Sequence, residues 1–148
     1  MAFAPTTNPK RRKTMETTDY CSYELSKALK NAGFDEPCDH YCYRPYTNSD
    51  EMEMRQGKTM DYNNDDWYVP HCSAPTLWHA QKWLREKGVE VVVEPRFSNY
   101  KHIGYDWMCH DDCSGDYAMR APLPFSDTYE CALSAGISAA LELIKKEE

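Results

Sequence analysis

The chain has 148 residues, 41% apolar and 28% charged, with a formal net charge of −7. That length is enough for one domain with a real core, and a mean hydropathy of −0.80 demands a compact core with wet loops. Residues 1–14 hold Lys10, Arg11, Arg12 and Lys13 and no acid, so the remainder carries −7 − 4 = −11. An acidic body argues against ordinary nucleic-acid binding through phosphates, and no apolar run approaches membrane-spanning length. It suits a surface that mimics nucleic acid or meets a basic protein.

Residues 1–18 show no periodicity and read as a disordered basic tail, with residues 19–148 as a single domain. "PKRRK" reads as part of that tail rather than as an import or nucleic-acid tract. "CSYELSKALKNAGF" is a helix, with Cys21, Leu25, Ala28, Leu29 and Ala32 on one face. Gly33 ends it in a left-handed conformation and Phe34 folds back on the last turn.

Residues 35–72 lack helical periodicity and are broken by Pro37, Pro45, Gly57 and "NNDD". The reading is a long loop with one short strand at "DWYVP". Tyr41, Tyr43, Tyr46, Tyr62, Trp67 and Tyr68 make it the densest aromatic stretch of the chain.

"SAPTLWHAQKWLREKG" is the next helix, with Ser73 as N-cap, Pro75 in the first turn and Gly88 as the stop. Leu77, Ala80, Trp83 and Leu84 form its buried stripe. "VEVVVEP" is a strand stopped by Pro95, and "FSNYKHIGYDWMC" is a second strand with Ile103, Tyr105, Trp107 and Cys109 on one face. "HDDCSGD" is a turn and "YAMRA" a third strand. "SDTYECALSAGISAALELIKK" closes the chain as a helix, with Ser126 and Asp127 as cap candidates and Glu130 at capping-box spacing from Asp127. Gly136 inside it marks close approach to the sheet. The expected fold is α+β: an antiparallel three-stranded or slightly larger sheet with helices packed on it, in the order α-loop-α-β-β-β-α.

Seven cysteines and an N-terminus without an apolar signal segment point to free thiols in a reducing cytosol. "CDHYC" and "CHDDC" each carry Cys-x-x-x-Cys spacing with a histidine. Together they suggest a zinc set of Cys38, Cys42, Cys109 and Cys113 with His40 and His110, and His71 and Cys72 as alternates. Against this, Cys109 alternates with Tyr105 and Trp107 and so belongs to the core face. Zinc is the only cofactor that the residues suggest. His71 beside Cys72 is the one candidate nucleophile pair, although adjacent residues usually point apart and a catalytic pair is brought together by the fold.

The runs "SYELSKALKNAGFDEPC", "APTLWHAQKWLREKGVEVVVE", the Trp107-containing strand and "TYECALSAGISAALELI" together resemble small uncharacterised proteins of bacteriophages and prophages, particularly from gut Bacteroidales. In layout they are similar to the phage ABA sandwich domains. The resemblance implies phage or mobile-element origin, an accessory or counter-defence role, and a place in the bacterial host cytoplasm. It brings no catalytic residue with it. The expected function is a non-enzymatic protein that binds a host protein or small ligand through Tyr41, Tyr43, Tyr46, Trp67 and Tyr68. The alternatives are a zinc-stabilised interaction domain and a hydrolase.

Overall fold

The computed structural model describes residues 17–45, 52–66, 70–111 and 117–147. The expected basic tail, apart from its last two residues, and the "HDDCSGD" turn from residue 112 to 116 lie outside them. The fold is α+β, but it holds two three-stranded antiparallel sheets rather than one.

The first sheet occupies the stretch read as a long loop. It comprises β1 (Cys38–Tyr43), β2 (Glu53–Met60) and β3 (His71–Ser73), in the order β2-β1-β3. β2 is an edge strand of mostly exposed polar residues, so it offers no apolar alternation to read. A 3-10 turn at Tyr62–Asn64 leads back toward β3. Asn63 ties this region together: its Nδ2 donates to Phe34 O at 2.8 Å and its Oδ1 accepts from Ser73 N at 2.8 Å.

The second sheet comprises β4 (Val89–Ser98), β5 (Lys101–Asp111) and β6 (Tyr117–Arg120), in that order. β4 runs three residues past Pro95, which had been expected to stop it. An edge strand tolerates proline because it has a side with no ladder to donate to. Phe97 and Ser98 therefore finish β4, Asn99 and Tyr100 form a two-residue turn, and β5 begins at Lys101.

Two of the three helices cover this sheet, and the first bridges to the other one. α1 (Tyr23–Asn31) starts at Ser22, whose Oγ accepts from Leu25 N at 3.2 Å. It ends at Gly33, with φ of 97°, and Phe34 returns to donate to Leu29 O. α2 (Leu77–Glu86) is capped by Thr76 rather than by Ser73. Ser73 is committed elsewhere: it pairs with Tyr41 in the first sheet and its Oγ accepts from Tyr62 N. α3 (Tyr129–Glu147) is likewise capped by Thr128, whose Oγ1 accepts from Cys131 N at 3.0 Å. Ser126, read as a cap, instead exchanges two backbone hydrogen bonds with Tyr105 of β5.

α3 lies on β4 and β5, α2 packs on β4 and α3, and α1 bridges from α3 to β3. The core between them holds Leu25, Leu29, Leu77, Trp83, Leu84, Val91, Trp107, Leu133, Ile137 and Leu141. The close approach inferred at Gly136 is present: a Cβ there would lie 2.6 Å from Val91 Cγ1 and 3.3 Å from Trp107 Cβ. A smaller cluster of Cys42, Cys72 and Ala74 sits under the first sheet with Tyr23, Met52 and Met54. No helix among the described residues is long and apolar enough to cross a membrane.

Candidate functional site

Those residues singled out for zinc that the structure describes are not gathered. Among the described residues no group of three or more His, Cys, Asp or Glu side chains is placed to hold a metal ion. Cys109 is fully buried beneath α3, where its Sγ donates to Gly136 O at 3.4 Å. Cys38 is buried in the main core and Cys42 in the smaller cluster. The His40 ring packs on Tyr20, and its Nδ1 lies 2.9 Å from Asp39 Oδ1. His110 is half-buried on β5, and Cys113 lies outside the described residues. The physical reason is that strand alternation commits Cys109 to the helix-facing side, along with Tyr105 and Trp107.

Burial governs most thiols. It pushes Cys109 up to about 11 and Cys38 up to about 12, and it raises Cys21 further. Cys131, on the solvent side of α3, is the one exposed cysteine among the described residues. Native alkylation at about pH 8 should therefore label Cys131 well before Cys21, Cys38 or Cys109, as read by peptide mass. Equal labelling of Cys109 would contradict its packing under α3.

His71 and Cys72 do not form a nucleophile pair. Cys72 faces Cys42 across the β1–β3 ladder, and the two buried thiols pack in one cluster. The buried His71 ring is on the other side of the strand, with Nε2 3.7 Å from Asp65 Oδ2. Its carbonyl accepts from Lys30 Nζ at 3.0 Å, which ties β3 to α1.

Of the predicted contact aromatics, Tyr46, Trp67 and Tyr68 lie outside the described residues. Tyr41 and Tyr43 are half-buried. The Tyr41 ring stacks on Tyr62 at 4.6 Å, and Arg55 lies over the Tyr43 ring. Gly57 passes under this stack; a Cβ there would meet Tyr62 Oη and Tyr41 Cε1. Tyr41, Gly57, Lys58, Tyr62 and Asp65 line an open hollow of about 370 Å³.

Among the described residues, three of the five exposed large apolar side chains lie at the tip of the β4–β5 hairpin. Phe97 is 62% exposed, Ile103 49% and Tyr100 fully exposed. Asn99 and Tyr100 both have positive φ, 52° and 66°, the pattern of a type I′ turn. Asparagine accepts this conformation readily. Tyrosine does so at a cost of about 1–2 kcal/mol. Below the tip, rings continue inward: Phe97 meets His102 at 5.5 Å, His102 meets Tyr105 at 4.7 Å, and Tyr105 meets Tyr129 at the start of α3. The hairpin thus carries a ladder of rings from its exposed tip to the start of α3. Its stretch 96–103 carries Arg96 and Lys101 and no acid, within a chain of net charge −7.

The hairpin is the element the sequence reading missed. Its signal was Asn99 between two β-forming runs. A tyrosine where a type I′ turn favours glycine masked it. No protein-family model, curated protein or solved structure matches the chain.

Proposed function

We propose that this chain is a binding protein of phage or mobile-element type that engages a host protein through the β4–β5 hairpin tip. The observation that carries the reading is Tyr100. A bulky residue held in the left-handed region, with its ring wholly in solvent, costs the fold stability and returns no packing. Retaining it is explained by contact with a partner. Exposed Phe97 and Ile103 flank it, and rigid aromatics on a projecting turn are effective contact residues because they lose little entropy on binding. Lys101 suits a partner groove with an acidic rim.

Tyr100→Gly separates function from folding. Glycine relieves the turn, so the variant should be as stable as the parent or up to about 1 kcal/mol more stable. A photo-crosslinking residue at position 97 should trap a discrete host protein in the parent, and Tyr100→Gly should abolish that product. An undiminished crosslink in the stabilised variant would refute the hairpin as the contact element.

A further inference from the structure

One face of the first sheet carries a lateral row of sulfur. Cys42 of β1 lies directly opposite Cys72 of β3 on one side and Met54 of β2 on the other. The phase of the ladder follows from two backbone bonds, Ala74 N to His40 O and Arg44 N to Pro70 O. They make the even-numbered positions of β1 hydrogen-bonded pairs toward β3. Cys42 is therefore a hydrogen-bonded pair with Cys72 and a non-hydrogen-bonded pair with Met54, the closer of the two kinds. The row is enclosed: Cys42 is 4% and Cys72 2% exposed, and Tyr23, Met52 and Met54 pack around them. Lys27 and Lys30 of α1 bring positive charge toward Cys72, and Glu24 brings negative charge toward Cys42.

Two reduced thiols in this position have three physical fates. Plain packing accounts for the burial of the pair but makes no use of three sulfurs set side by side in one row. A disulfide needs Cβ atoms about 3.5–4.5 Å apart, whereas a hydrogen-bonded pair holds them nearer 5.5 Å, so the strands would have to pinch. A metal ion spans the gap without that distortion: two metal–thiolate bonds of about 2.3 Å bridge sulfurs up to about 4.6 Å apart. The donors present select the ion. Zinc wants four ligands of thiolate, imidazole or carboxylate type, and no third such side chain joins this pair among the described residues. Thiolates supplemented by thioethers are the soft set that favours copper(I).

We propose that Cys42 and Cys72, with Met54 as third donor, form a binding site for a soft monovalent cation, copper(I). Two thiol protons leave as one cation enters, so the occupied site carries one net negative charge, facing Lys27 and Lys30. The flexible Met52 and Met54 side chains are the movable cover through which the ion reaches the thiols.

Anaerobic titration of the full chain with copper(I) against a bicinchoninate competitor tests this. The parent and a Cys131→Ser control should each withhold one equivalent from the chelator. Cys42→Ser/Cys72→Ser should lower the affinity more than about 100-fold, and Met54→Leu by about tenfold, the range seen when a metal site loses a supporting group. The site is ruled out if the double serine variant withholds the same equivalent, if the parent withholds none, or if Cys131→Ser alone removes it. Should the double variant fail to fold, copper X-ray absorption on the parent decides: an all-sulfur shell supports the site, and nitrogen or oxygen ligands overturn it.

Discussion

Replacing Arg96 with leucine is expected to lower stability by about 3 kcal/mol, the low end for stranding one member of a buried ion pair. Asp106 of β5 is 1% exposed on the sheet face opposite α3. Its Oδ2 accepts from Arg96 Nε at 3.1 Å and Nη2 at 2.7 Å, with Arg120 Nη2 at 3.6 Å. Its Oδ1 has no partner among the described residues. Arg96 is itself partly exposed, so the reciprocal change, which frees the arginine, should cost less than the change that leaves the carboxylate without it. Arg120 softens the loss by moving closer. The control is Arg96→Leu/Asp106→Leu, which removes both charges and should recover most of the stability, since paired apolar replacements are often near neutral. Chemical denaturation of the four proteins checks this. A double variant as unstable as Arg96→Leu would show that the arginine stem, not its charge, is what matters.

Gly136→Val should destabilise the fold by about 3 kcal/mol, the upper part of the range for overpacking a tight core. Gly136→Ala is the more telling variant. Alanine improves helix propensity by about 1 kcal/mol, which on a free helix would be a gain. Here its methyl would sit 2.6 Å from Val91 Cγ1 and 3.3 Å from Trp107 Cβ, so a neighbour must move. Trp107 Cβ is held by the backbone of the central strand; Val91, on edge strand β4, can yield only by shifting a buried side chain. The expected result is a net loss of about 1 kcal/mol, or a melting point lower by about 2–4 °C for a chain of this size. Val91→Ala should cost less in the Gly136→Ala background than in the parent, with coupling of about 1–2 kcal/mol. A stabilised Gly136→Ala protein would mean that α3 does not approach β4 as closely as described.

The parts of the fold legible in the sequence were those whose information is local. α1, α2 and α3 announced themselves through apolar spacing, and Gly33 and Gly88 marked two of their ends, each with positive φ. Cap positions were less secure. Ser73 and Ser126 have the right chemistry for a cap, but both were taken by strand pairing, and Thr76 and Thr128 cap the helices instead. Alternation placed Trp107 and Cys109 in the core correctly. Ile103, on the same alternation, is exposed.

The first sheet was illegible for a different reason. β2 is mostly polar and β3 only three residues long, so neither carries a pattern of its own. Their stability comes from pairing with β1 and from Asn63, partners supplied by distant chain. A search for periodicity cannot register such a strand, and it reads as loop.

The sequence by itself determined the class of fold, the three helices, the core faces they present and the sheet they cover, because each rests on the spacing of apolar residues within one segment. Only the tertiary structure decided which apolar side chains stand exposed and which sulfurs meet. Whether "FSNYKHI" is one strand or two joined at a turn depends on where β4 and β5 pair, and that choice puts Phe97, Tyr100 and Ile103 at a projecting tip. Cys42 and Cys72 are thirty positions apart. A one-residue slip of β3 would send Cys72 to the opposite face, so their meeting is a property of register, which is set by the assembled sheet.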